Sequence, residues 1–165
     1  MFSWELINQA QKLFNLAQKK NIKIVSAESC TGGLISSLIT EISGSSQTFE
    51  RGFVVYSNLA KNQNLSVKNL TLEKFGAVSF EIAEEMSIGA IKNSSANLSV
   101  AVTGICGPDG GSAEKPVGLV YIASFCSINN NLIIKKFNFF GDRNKNRMLS
   151  VKNAIEILIN QIENV

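Results

Sequence analysis

Short apolar runs alternate with segments of helical periodicity along most of this chain. The runs "IKIVSA" (22–27) and "NLSVAVTG" (97–104) are rich in apolar and β-branched residues, which is typical of strands buried on both faces. Segments 4–20 and 80–92 instead carry apolar residues at three- and four-residue spacing. Because two parallel strands need a crossover helix between them, this alternation predicts an α/β fold: a three-layer α/β/α sandwich with a largely parallel sheet.

The last third of the chain departs from this alternation. Two strand-like runs, "LVYIASFCS" and "NLIIKKFNFF", flank "INNN", which predicts an antiparallel hairpin, and a long closing helix follows "GDR". The sheet is therefore expected to be mixed. Since the 165 residues contain no linker, repeat or low-complexity tract, residues 1–165 are predicted to form a single domain.

Polar loops mark the expected element boundaries near the strand ends. A strand is predicted at 52–57 ("GFVVYS"), followed by a helix with Asn58 as its N-cap and Lys61 in its first turn. Thr31 is predicted to cap a helix that ends near residue 42.

The sequence contains no histidine, which restricts its chemistry. Ser-His-Asp and Cys-His catalysis are excluded, and a zinc or iron site is disfavoured, so a general base would have to be Lys, Glu, Asp or Tyr. The three cysteines, Cys30, Cys106 and Cys126, show no CxxC or other metal-type spacing and are predicted to be free thiols.

Charge and hydropathy indicate the class of partner. A net charge of +3 with scattered lysines argues against nucleic acid as a partner, because phosphate tracking needs a clustered basic stripe. No apolar run reaches the about 18 residues that a membrane span needs, and the N-terminal segment interleaves charges where a signal peptide would be apolar. The expected location is the cytoplasm, without membrane partners.

Three polar segments follow predicted strands, at 26–33, 56–61 and 103–118. Ligands of parallel sheets collect beyond the carboxyl ends of the strands, so we expect these segments to share one cleft. In the first, "SAESCTGG", Ser29 or Cys30 could act as a nucleophile, and Gly32 with its neighbours could offer free N–H groups at a helix start. The alternatives are that the hydroxyl residues only cap the helix and that Cys30 is a buried structural thiol.

The second and third segments offer a base and a loop. A lysine with a pKa near 10.4 is neutral in only about one molecule in a few thousand at pH 7, a cost of about 4.6 kcal/mol, so Lys61 could act as a base only in a partly desolvated cleft. The alternative is a solvated surface lysine. The glycine-rich loop could cradle a ligand or be a plain surface hairpin, and Arg143 could hold an anion or pair with Asp142.

Six motifs in this order, "AESCTGG", "SGSS", "GFVVYSNLAK", "GAVS", "VTGICGPDGGSAEKPVGLVYIA" and "GDR", resemble the CinA carboxy-terminal domain family in its stand-alone form. The resemblance covers nearly the whole chain. It implies a nicotinamide-nucleotide amidohydrolase, which hydrolyses nicotinamide mononucleotide to nicotinic acid mononucleotide and ammonia in pyridine nucleotide salvage. It also implies a site that needs no metal or other cofactor, and a homodimer.

The resemblance assigns roles to individual residues. Ser29 would be the nucleophile, Lys61 its base and Tyr56 a hydrogen-bonding or proton-relay partner. The residues implied to hold the substrate are Thr31, Gly32, Gly33, Ser46, Asn58, Thr103, Gly104, Gly107, Gly110 and Arg143.

Two features of the family are not carried over unchanged. Cys106 in "GICG" stands where a small inert residue such as Ala is expected, and as a small hydrophobic residue it is expected to change little. Some family members carry a larger amino-terminal domain with a separate nucleotide-hydrolysing activity, which is not assigned to this chain. The rival hypothesis is a non-catalytic nucleotide-binding or competence-related module that uses the same cleft.

Overall fold

The computed structural model describes residues 2–165, in which six α-helices and five strands form three layers. In chain order these elements are α1 (Trp4–Lys19), β1 (Ile24–Glu28), α2 (Leu34–Thr40), β2 (Phe49–Val54), α3 (Asn58–Leu65), α4 (Asn69–Phe75), α5 (Phe80–Lys92), β3 (Leu98–Gly104), β4 (Leu119–Cys126), β5 (Asn131–Asn138) and α6 (Arg143–Glu163).

The five strands form one mixed sheet in the order β2-β1-β3-β4-β5. β1 lies between β2 and β3 and is parallel to both, whereas β4 is antiparallel to both β3 and β5. The predicted three-layer fold with a mixed sheet and an antiparallel hairpin is therefore confirmed, with a parallel part of three strands. The hairpin follows from the short "INNN" connection, which is too short for a crossover.

Alternate residues of each strand decide which helices cover which face. Val100 and Val102 of β3 pack in one apolar cluster with α1, α2 and α6. Ala101, between them, packs with α3, α4 and α5 on the opposite face. Because successive strand side chains point to opposite faces, the sheet is buried on both sides over its centre.

Several helices and strands begin or end at other residues than the sequence predicts. The strand expected at 52–57 spans Phe49–Val54, because β2 is an edge strand whose extent is set by its register with β1 rather than by its own apolar run. The helix after it is capped by Ser57, whose side chain accepts a hydrogen bond from Ala60 N, so the prediction of Asn58 as the N-cap is wrong. α4 was not predicted, since its seven residues are too short for a clear periodicity.

No helix within residues 2–165 is both long enough and apolar enough to cross a bilayer.

Candidate active site

A cleft of about 270 Å³ lies beyond the carboxyl ends of β1 and β3. The three predicted segments meet there, joined by the start of α6. The residues that line the cleft are Ser29, Cys30, Tyr56, Asn58, Lys61, Ala77, Val78, Thr103, Gly104, Ile105, Cys106, Gly107, Asp109, Gly110 and Arg143.

Lys61 and Ser29 are in direct contact at the bottom of this cleft. Lys61 Nζ donates one hydrogen bond to Ser29 Oγ at 3.0 Å and another to the carbonyl oxygen of Val55 at 3.0 Å. The side chain of Lys61 is only 1% exposed. Burial lowers the pKa of the Lys61 ammonium from its ordinary value, because a charge is poorly solvated in the protein interior, while the nearby Cys30 opposes this shift.

The first turn of α3 positions the lysine. Ser57 caps the helix, and the N–H of Lys61 donates to the Ser57 carbonyl at 3.1 Å as the first intrahelical bond. This places Lys61 near the positive end of the helix, where the field also disfavours its protonated form. The sequence-based alternative of a solvated surface lysine is wrong.

Ser29 stands on a sharp turn between β1 and α2. Its N–H donates to the Val102 carbonyl at 3.0 Å, which extends the pairing with β3, and its carbonyl accepts from Gly32 N at 3.1 Å. Gly32 has φ +60° and Gly33 has φ +95°, conformations that favour glycine. Arg147 of α6 holds the outside of the turn by donating to the carbonyls of Cys30 and Thr31 at 3.1 and 2.7 Å.

The N–H groups at the start of α2 are not available to a ligand, contrary to the sequence prediction. The carboxylate of Glu28 accepts hydrogen bonds from the N–H groups of Gly33, Ile35 and Ser36 at 2.8–3.0 Å and from Ser36 Oγ at 2.7 Å. Gly32 N–H is used by Ser29. The two glycines therefore shape the turn, and both of their N–H groups already have acceptors within the chain.

Thr31 is also misassigned by the sequence. It does not cap α2, which begins at Leu34 after Gly33. Thr31 is fully buried, does not line the cleft, and its Oγ1 has no hydrogen-bond partner among the described residues. The Glu28 carboxylate accepts hydrogen bonds from the N–H groups at the start of α2, which a capping side chain would otherwise accept.

Replacing Glu28 by Gln is expected to lower the free energy of unfolding by about 2–4 kcal/mol, because an amide NH₂ would face donors that now meet a carboxylate in a fully buried site. Urea unfolding measures this change. Glu41→Gln, an exposed site just after α2, is the matched control and should shift stability by less than about 0.5 kcal/mol. Equal stabilities of the two variants would contradict a structural role for Glu28.

Tyr56 and Arg143 form the rim of the cleft. Arg143 donates to the hydroxyl of Tyr56 at 3.0 Å and to the carbonyl of Gly107 at 2.8 Å, bridging the start of α3 to the glycine-rich loop. Tyr56 is 61% exposed and makes no hydrogen bond to Ser29 or Lys61 within the described chain. The structure therefore places Tyr56 at the entrance, and the proton relay expected of it has no direct contact with the pair.

Thr103 and Gly104 line the cleft but have structural partners. The Thr103 hydroxyl donates to the Ala77 carbonyl at 2.7 Å and holds the segment before α5 against the sheet. A Cβ on Gly104 would lie 2.6 Å from Val120 Cγ2, so close packing against β4 already requires glycine here. Gly107 and Gly110, both with φ +88°, turn the loop around the cleft, and their N–H groups donate to no residue in 2–165.

Ser46 does not line the cleft, and its role in holding the substrate stays a prediction. It is exposed in a short turn of 3₁₀ helix, Ser45–Gln47, before β2. Since β2 runs parallel to β1, this turn is at the amino ends of the strands, whereas Ser29 follows the carboxyl end.

Sequence reasoning missed Glu28 and Arg147. A carboxylate ending a strand whose five residues are all buried was the available signal for Glu28. Arg147 follows Arg143 by four residues, which puts both on one face of α6. Neither signal says which backbone groups the side chain would reach.

A larger cavity, about 480 Å³, lies between α3, α4 and α5. It is lined by three glutamates, two lysines, Ser66, Thr71 and apolar residues, and neither lysine side chain is hydrogen-bonded to Ser66. Within residues 2–165, no three His, Cys, Asp or Glu side chains group as a metal site would require. The smaller cleft is therefore the stronger candidate for chemistry.

The fold and the cleft together define a three-layer α/β protein with a buried serine–lysine pair at the strand ends. Residues 7–162 match the family described as the CinA C-terminal domain, and the chain belongs to that family. The predicted resemblance is thereby confirmed.

Similar proteins carry two kinds of name. A "Nicotinamide-nucleotide amidohydrolase PncC" of Enterobacter agglomerans is 50% identical over 125 residues, 76% of each chain. A "CinA-like protein" of Kosmotoga olearia is 45% identical over 144 residues, 87% of this chain but 34% of that protein. The chain spans about a third of the length of several such curated relatives. The crystal structure of the competence/damage inducible protein CihA from Agrobacterium tumefaciens superposes with a TM-score of 0.95 at 43% identity, covering 97% of both chains.

Proposed function

We propose that this chain is an amidohydrolase that converts nicotinamide mononucleotide to nicotinic acid mononucleotide and ammonia. The observation that carries the proposal is the 3.0 Å contact between the buried Lys61 amine and the Ser29 hydroxyl. The relative named as a nicotinamide-nucleotide amidohydrolase supports the choice of substrate.

In the first step, neutral Lys61 Nζ accepts the proton of Ser29 Oγ while this oxygen bonds to the carboxamide carbon. The lowered pKa of Lys61 makes its neutral form more abundant. The carboxamide oxygen becomes an oxyanion, for which the free N–H groups of Gly107 and Gly110 in the cleft lining are the proposed donors.

In the second step, the C–N bond breaks and protonated Lys61 passes its proton to the departing nitrogen, which leaves as ammonia. A water molecule then attacks the acyl carbon of the ester on Ser29. Lys61 accepts the proton of this water and returns it to Ser29 Oγ as the ester bond breaks. The enzyme is restored and the product is the carboxylic acid.

The rim is proposed to hold the phosphate of the substrate. Arg143 uses part of its guanidinium for Tyr56 and Gly107, and a guanidinium has five N–H donors, so others remain for an anion. Asn58 lines the same rim and is exposed. The expected homodimer stays a prediction.

The deciding experiment incubates the purified protein with nicotinamide mononucleotide in the presence of a chelator and measures ammonia and nicotinic acid mononucleotide. Equal amounts of both products, formed in proportion to protein, are expected. Binding of the nucleotide without release of ammonia would instead support the non-catalytic module, in which Ser29 and Lys61 only hydrogen-bond a ligand.

A further inference from the structure

A buried amide of α6 holds the glycine-rich loop at the edge of the cleft. Asn146 is 0% exposed, and its side-chain Nδ2 donates to the carbonyl oxygens of Cys106 at 3.1 Å and Gly141 at 3.0 Å. Its Oδ1 has no hydrogen-bond partner among the described residues. An unpaired buried oxygen costs stability, and an apolar side chain of similar shape would avoid this cost. The two donated bonds therefore account for an amide at this position.

The bond to the Cys106 carbonyl fixes the direction of the next N–H group. The Cys106–Gly107 peptide is trans, and in a planar trans peptide the C=O and N–H bonds point in opposite directions. Since the carbonyl points to Asn146, the Gly107 N–H points away from it. Cys106 contributes its carbonyl and not its thiol, which is free, as the sequence predicts for all three cysteines.

The Gly107 N–H has no acceptor in the chain. Gly107 is buried and lines the cleft, yet its N–H donates to no group in residues 2–165. Buried backbone N–H groups without a partner are rare in native proteins, so this one indicates a place for an oxygen of a ligand.

The same helix also holds the turn that carries the nucleophile. Arg143 donates to the Gly107 carbonyl at 2.8 Å, so the peptides on both sides of Gly107 are bonded to α6. Arg147 donates to the two carbonyls that follow Ser29, at 3.1 and 2.7 Å. The loop and the Ser29 turn are therefore both fixed to the first two turns of α6, which set the position of the Gly107 N–H relative to Ser29.

We propose that Asn146 is a positioning residue, which presents the Gly107 N–H to the oxyanion that forms when Ser29 attacks the carboxamide carbon. Asn146 acts through the Cys106 carbonyl and does not touch the substrate. A donor that is already oriented stabilises the transition state without moving during the reaction. The effect on catalysis rests on the proposed function, whereas the orientation of the Gly107 N–H does not.

Asn146→Leu removes both donated bonds and keeps most of the side-chain volume. In steady-state assays of ammonia release from nicotinamide mononucleotide, we expect kcat to fall at least about tenfold and KM to change less than about threefold, because the lost interaction belongs to the transition state. The pH midpoint of activity should not move, since the hydrogen bonds of Lys61 are unchanged. An unchanged kcat would overturn the proposal.

Gln161→Met is the matched control for a loss of stability. Gln161 is also a fully buried amide of α6, and its Nε2 donates to the carbonyls of Ser124 and Asn131, both at 3.1 Å. Ser124 pairs with Val100 and lies toward the start of β3, whereas the cleft follows the end of this strand. We expect this variant to keep its kcat within about twofold. An equal fall of kcat in both variants would show that lost stability, and not positioning, reduces turnover.

Nuclear magnetic resonance tests the orientation without substrate. In the unmodified chain, we expect the side-chain amide protons of Asn146 to exchange slowly with solvent and the Gly107 N–H to have an order parameter near the rigid-backbone value of about 0.85. In Asn146→Leu the Gly107 value should fall below about 0.6, and in Gln161→Met it should stay unchanged.

A flexible Gly107 N–H in the unmodified chain, or an unchanged order parameter in Asn146→Leu, would overturn the proposal. If Asn146→Leu did not fold, the values for the unmodified chain would still decide it. If the unmodified protein released no ammonia, the proposed function would fail alone, and the order parameters would still show whether Asn146 fixes the Gly107 N–H.

Discussion

Replacing Ser29 by Ala is expected to reduce the rate of ammonia release from nicotinamide mononucleotide by at least about a thousandfold, equivalent to about 4 kcal/mol in activation free energy. The variant loses the only hydroxyl among residues 2–165 to which the Lys61 amine is hydrogen-bonded. Substrate binding at the rim should persist, since neither Arg143 nor Tyr56 is hydrogen-bonded to Ser29. Steady-state kinetics measures the loss of turnover, and calorimetric titration with the nucleotide measures whether binding persists.

Cys30→Ala separates the two adjacent candidates for the nucleophile. Cys30 lines the same cleft, but burial and Cys106 raise the pKa of its thiol, which disfavours the nucleophilic thiolate. We therefore expect Cys30→Ala to retain at least a tenth of the activity. Near-normal turnover by Ser29→Ala together with an inactive Cys30→Ala would transfer the role to the thiol and refute the proposed pair.

Replacing Lys61 by Met is expected to reduce the rate of ammonia release about as much as Ser29→Ala does. Methionine fills much of the same volume but cannot accept a proton. Lys92→Met, at an exposed lysine, is the matched control and should keep full activity. For the unmodified chain, activity should rise with pH as the buried amine loses its proton, with a midpoint below the ordinary lysine value of about 10.4. A pH profile without this rise would contradict Lys61 as the base.

The same substitution changes how stability depends on pH. Burial lowers the pKa of Lys61 in the folded chain, so between that pKa and about 10.4 the unfolded chain binds more protons at this residue than the folded chain. Stability of the unmodified chain should therefore rise with pH across this window relative to Lys61→Met. Urea unfolding of both proteins from pH 7 to 10 measures the difference. A difference that is independent of pH would show that the amine keeps its ordinary pKa.

The sequence by itself determined the layers of this protein and the identity of its proposed base. Apolar strands that alternate with amphipathic helices are buried when helices cover both faces of a sheet, and the structure has that architecture with the predicted hairpin. Helix α5 spans Phe80–Lys92, the segment over which the apolar spacing predicts a helix. Without histidine, lysine was the base that the motifs indicated.

Only the tertiary structure decided which groups meet. Ser29 and Lys61 are 32 residues apart, and their contact depends on how β1 and α3 pack. Sequence assigned the N–H groups of Gly32 and Gly33 to a ligand, but the carbonyl of Ser29 and the buried Glu28 carboxylate already accept them. Ser46 was placed with the site by its motif and lies at the other end of the strands. Local sequence patterns indicate periodicity and burial. Each donor or acceptor, in contrast, forms its hydrogen bond with whichever group the packed chain brings within about 3 Å.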